Sequence, residues 1–142
     1  MCLFHCGLCL AGQAGELFQD EDGAITILDW KRTKTIRFNN SFTSLREPLD
    51  HLPDCNGWLY SVQLIVYKFM LETEMGLNVS GMFLGQVHPS LLRARLIELP
   101  NMDDELELIV EDQIHRGDAL CRAIPGDNAP FTLPPENNVP AH

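Results

Sequence analysis

Hydrophobic positions in this chain recur with two different periods, and the change between them marks out its elements. Residues 3–10, LFHCGLCL, form a short apolar stretch that predicts a buried strand. A second stretch over 12–18 begins between Gly12 and Gly15. Residues 19–23, QDEDG, are a turn signal, since Asp-Gly is a strong hairpin dipeptide. The returning strand is 24–29, whose AITIL has the β-branched enrichment that suits a pleated surface. The period then lengthens. Over 57–75, Trp58, Val62, Ile65 and Phe69 recur every three or four residues, as do Leu64, Tyr67 and Leu71. This predicts a helix with apolar side chains around much of its circumference, stopped by Gly76. Residues 77–87 and 95–99 predict two more strands, and Asn101 or Asp103 caps a last helix to about His115. The Asn, Ser, Pro and Asp of 39–56 predict a long connection. The order β-β-β-α-β-β-α implies an α/β or α+β fold, one central sheet with helices packed on it.

A length of 142 residues suits one domain with one core. The reading places that domain at 1–116 and a flexible tail, rich in Pro, Asn and Gly, at 117–142. No window approaches the roughly 18 apolar residues of a membrane span. No Lys or Arg precedes the apolar start, so a cleaved leader is not expected. The five cysteines are an odd number without a regular framework, which argues against a disulfide-stapled secreted domain. The expected setting is therefore soluble and intracellular. Cys2, His5, Cys6 and Cys9 resemble a soft-metal cluster only in spacing; buried cysteines in an apolar strand are the plainer reading.

Charge changes the picture more than composition does. The formal net charge of −10 excludes a general nucleic-acid coat. Yet residues 30–46 hold five bases (Lys31, Arg32, Lys34, Arg37 and Arg46) and no acid, whereas 103–112 hold six acids and no base. The basic run begins directly behind Asp29, in ILDWKRTK. Strand alternation puts Asp29 and Lys31 on one face and Trp30 on the other. A carboxylate is an oxygen ligand for a hard divalent cation, and an ammonium beside it is suited to developing phosphate charge. The plain alternative is a salt bridge at a strand end. In the helix, Gln63 and Tyr67 stand four apart on one face, able to bond phosphate oxygens or only each other.

Taken together in this order, the two motifs resemble the PD-(D/E)XK nuclease superfamily in its RecB-like exonuclease branch. ILDWKRTK matches the strand motif (D/E)-x-K through Asp29 and Lys31, and QLIVY matches the helix motif Q-x-x-x-Y through Gln63 and Tyr67. The resemblance implies a restriction-endonuclease-like core, a central mixed sheet flanked by helices. It also implies a metal-dependent DNA nuclease of exonuclease type, acting in recombination, repair or replication. Asp29, Lys31, Gln63 and Tyr67 would be catalytic, Mg2+ or Mn2+ the cofactor, DNA the partner, and Arg32, Lys34 and Arg37 the contacts to its phosphates.

Two departures shape the expectation. The family's first strand carries a metal-binding aspartate where AGQAGEL has Gly15. Glu16 is the adjacent candidate ligand, though alternation turns it to the opposite face unless Gly15 permits a bulge. The branch also has an upstream helix bearing a further acid, whereas this chain starts almost at the sheet, as in a truncated relative. The alternative is thus a catalytically inactive nuclease-fold module that binds nucleic acid or a partner protein, with a plain interaction domain behind it.

Overall fold

The computed structural model describes residues 2–8 and 10–123, the side chains at 4, 6, 11 and 118–123 excepted. Two short strands, β1 (Cys2–His5) and β2 (Leu10–Gln13), open the chain. Four more, β3 (Glu16–Gln19), β4 (Ile25–Arg32), β5 (Val79–Val87) and β6 (Arg95–Glu98), build the main sheet. Helix α1 (Asn56–Met75) connects β4 to β5, and α2 (Asp103–Ala123) follows β6. The fold is mixed α+β: β3 and β4 are antiparallel, β4 and β5 parallel, β5 and β6 antiparallel.

The single strand expected over 3–10 is instead a folded-back pair. β1 and β2 run antiparallel, with His5 opposite Leu10, and form a sheet of their own. A 3-10 turn over Cys6–Leu8 reverses the chain, and the Leu8 backbone N–H donates to His5 Nδ1 at 3.2 Å. His5 also stacks on Phe69 of α1, at 5.3 Å between ring centroids, and approaches Glu74 at 3.5 Å. That role is structural. Cys2 is exposed rather than buried. Cys9 lies outside the described residues, and no group of three metal-ligating side chains occurs among the described ones.

The hairpin expected at 19–23 is present. Asp20 Oδ1 accepts from the N–H groups of Asp22 and Ala24, and Gly23 takes a left-handed φ of 85°. On β4, alternation sends Ile25 and Ile27 into the core, where Ile27 is fully buried against Leu64, Ile65 and Leu71 of α1 and Leu84 of β5. α1 begins one residue before the expected start and ends as expected at Gly76, whose φ of 64° accompanies a Leu77 N–H bond back to the Leu71 carbonyl. It is buried or half-buried around most of its circumference: over 56–71 only Leu59 is exposed, and the last turn, 72–75, faces solvent. The Asn101 side chain accepts from the Asp103 N–H and starts α2. α2 runs eight residues past the expected His115, so 117–123 belong to it and not to a tail; residues 124–142 lie outside the described residues. No helix among the described residues is long and apolar enough to cross a membrane.

Candidate active site

The outer end of β4 leaves the core, and two polar residues occupy the face that Ile25 and Ile27 use further back. Asp29 and Lys31 lie there as an ion pair, Lys31 Nζ to Asp29 Oδ2 at 2.8 Å. Their side chains are only 15% and 21% exposed, so the pair is screened far less than one on the surface. The helix meets it directly. Lys31 Nζ donates to Gln63 Oε1 at 2.9 Å, and Gln63 Nε2 donates to Tyr67 Oη at 2.8 Å. The four residues expected on one cleft thus form one continuous network, running acid, ammonium, amide and phenol.

Three further groups tune it. The Tyr60 ring lies 4.7 Å from the Lys31 ammonium, a cation–π contact with no signature in the sequence motifs. Tyr60 was legible only as three residues before Gln63, one helical turn away. The edge of the Tyr67 ring abuts Gly12 of β2, where any Cβ would collide with it. On β5, Gln86 is opposite Lys31 in the parallel register and is 98% buried. Its Nε2 donates to the carbonyls of Thr33 and Lys34 at 3.2 and 3.0 Å, while its Oε1 has no partner among the described residues. This glutamine pins the chain where it leaves β4. It too went unread, although it continues the buried row of Met82 and Leu84 at period two.

The cleft over this network has a volume of about 600 Å³ and is lined by residues 13–16, 29–31, Gln63 and Tyr67. Two of its donors are suited to a phosphate. Tyr67 accepts from Gln63, so its own O–H remains for an outside acceptor, and the Lys31 ammonium has three N–H groups of which Asp29 and Gln63 take two.

The expected Mg2+ or Mn2+ ligands do not assemble. Glu16 pairs directly with Leu28 in an unbroken antiparallel register, and cross-strand partners share a face. Its side chain is therefore directed to the side of the sheet opposite Asp29, with no bulge over 16–19 to reverse it, so that Glu16 meets the cleft only at its rim. Gly15 does not have a positive φ; among described glycines only Gly23 and Gly76 do. What Gly15 allows is close approach. A Cβ there would lie 2.7 Å from the Leu28 carbonyl oxygen and 3.2 Å from Asp29 Oδ1. The position expected for the aspartate does face Asp29, but it is closed by backbone. A hard divalent cation takes about six oxygen ligands or more. Within the described residues the cleft offers it one inward carboxylate, so these residues do not fit the ion.

Beyond Lys31 the basic run lies outside this cleft. Arg32, Lys34 and Arg37 are all exposed, and none lines this cleft. Arg32 shares the Trp30 face by alternation. Lys34 and Arg37 follow the chain away from β4 toward the 38–55 connection. Arg37 lines a separate pocket there, with Asn39, Asn40, Ser41, Phe42, Asp54 and Cys55. Comparison with family models, with characterised proteins and with solved structures found no match to this chain.

Proposed function

We propose that this chain is a DNA-acting domain of the PD-(D/E)XK nuclease kind, RecB-like in its motifs, built on a restriction-endonuclease-like core. The reaction of that class is exonuclease-like phosphodiester hydrolysis in recombination, repair or replication. The observation that carries the reading is the network Asp29–Lys31–Gln63–Tyr67, two sequence motifs 32 residues apart joined by a 2.9 Å hydrogen bond. A surface salt bridge at a strand end would not need an amide and a phenol from a helix behind it. An ammonium and a free phenolic O–H, side by side in an open cleft, are donors for the oxygens of a phosphodiester.

A second reading, the same domain as a catalytically silent module that binds nucleic acid or a partner protein, is favoured by the ligand set. Gly15 brings no carboxylate and Glu16 faces away. Cleavage by this chain is accordingly expected to be slow or absent. The test is incubation of labelled single- and double-stranded DNA with Mg2+ or Mn2+, repeated with chelator and with Asp29→Asn. The expected result is binding without chelator-sensitive cleavage above the Asp29→Asn background. Rapid Mg2+-dependent cleavage that disappears in Asp29→Asn would overturn the silent reading. Rapid cleavage that survives it would overturn the site.

A further inference from the structure

We infer that the pocket between Arg37 and Phe42 is a stacking subsite for an unpaired nucleobase, so that the chain's ligand is a single strand. This rests on the nucleic-acid reading above and specifies it. Phe42 is 94% exposed, the most exposed aromatic among the described residues. A single exposed apolar residue requires no explanation by itself. Its setting is what distinguishes it, because the loop that carries it is tied down on every side.

Asn40 Oδ1 accepts from the Phe42 and Thr43 N–H groups at 3.0 and 3.4 Å. Asn40 Nδ2 donates to Thr43 Oγ1 at 2.6 Å and to the Asp54 carbonyl at 2.8 Å. Asp54 N–H donates to the Thr43 carbonyl, and Ser44 bridges Pro53. The base of the loop is anchored to the start of α1: Asn56 accepts from the Arg37 N–H at 2.8 Å and donates to the Thr35 carbonyl at 2.7 Å, while the Trp58 indole donates to the Phe38 carbonyl. The aromatic ring is thus presented to solvent on a fixed frame, which lowers the ordering cost of stacking against it.

The pocket beside the ring has a volume of about 430 Å³, within the range of small-ligand sites. Its chemistry sorts by position. Arg37 supplies a guanidinium for the backbone phosphate and closes the basic run that starts at Lys31. Arg37 stands six positions on from Lys31, a reach of at most about 22 Å, so one strand can lie across the cleft and the pocket together. Asn39 and Ser41 make no side-chain hydrogen bond among the described residues, leaving an amide and a hydroxyl for a base edge. The Asp54 carboxylate repels a phosphate at that spot but accepts from an exocyclic amino group. One aromatic face in a polar rim fits a flat heteroaromatic ring better than the broad apolar surface of a protein partner. A base inside a duplex keeps both faces stacked and cannot use it, and stacking tolerates any sequence.

The experiment measures binding of the full chain to four labelled ligands of equal length: single-stranded DNA, single-stranded RNA, duplex DNA and a fully abasic strand. Each is repeated with Phe42→Ala and Phe42→Trp. The expected result is tighter binding of single strands than of duplex or abasic strand. Phe42→Ala should weaken the single strands about tenfold, the loss of one stacked base, and leave the abasic strand unchanged. Phe42→Trp should retain binding, with indole fluorescence quenched by the strand. The DNA and RNA arms show which backbone supplies the base. Single-strand affinity indifferent to Phe42→Ala would overturn the subsite while the nucleic-acid reading stood. Failure of every ligand to bind would overturn both.

Discussion

Among single residues, Gly15 sets how closely the chain before β3 can approach β4. Its missing side chain lets the backbone pass against β4 so closely that a Cβ would sit 2.7 Å from the Leu28 oxygen. The Gly15→Ala variant should therefore lose about 1–3 kcal/mol, the usual cost of forcing atoms into a filled site, seen as a lower melting temperature. Gly15→Asp adds a carboxylate beside Asp29 Oδ1 and should lose at least as much in the absence of divalent ions. A cation bound by both acids would favour the folded state by mass action. Mg2+ should therefore raise the melting temperature of Gly15→Asp and leave that of Gly15→Ala unmoved. An unstrained Gly15→Ala would contradict the close approach, and a folded Gly15→Asp blind to Mg2+ would contradict a cation shared by the two acids.

At the scale of elements, β4, α1 and the turn before β4 were legible, because each has its own signal. The β-branched run, the three-to-four spacing and Asp-Gly are local, and local patterns survive folding. The Asp29–Lys31 and Gln63–Tyr67 faces followed from the same periodicities. Three things did not. Residues 3–10 have a strand's composition, but the reversal at Cys6–Leu8 depends on a His5 contact that no period announces. The direction of Glu16 was left open by sequence and is decided only by its partner Leu28. The role of Gln86 depends on two carbonyls more than fifty residues away. That last residue makes a prediction for its element. Gln86→Leu fills similar volume but leaves the Thr33 and Lys34 carbonyls without their donor. It should cost about 1–3 kcal/mol in denaturant unfolding, the cost of unsatisfied buried groups. No loss would mean that the clamp on the end of β4 does not hold.

Across the whole molecule, the charge of −10 opposes a polyanion, and the densest run of bases marks one path against it. That path runs from Lys31 in the cleft through Lys34 to Arg37 at the second pocket, and Arg32 flanks it from the opposite face of the sheet. On the proposed function, this path receives a nucleic-acid backbone. The most direct test is the salt dependence of single-stranded DNA binding, compared between the unaltered chain and the Arg32→Ala, Lys34→Ala, Arg37→Ala triple variant. Each phosphate contact on a single strand contributes about 0.7 to the slope of log affinity against log salt, so losing Lys34 and Arg37 should flatten the slope by about 1.4, Arg32 on the opposite face of the sheet adding nothing. The expected result is steeply salt-dependent binding for the unaltered chain and that flattening for the variant. An unaltered chain that does not bind, or a triple variant with the same affinity and slope, would contradict it.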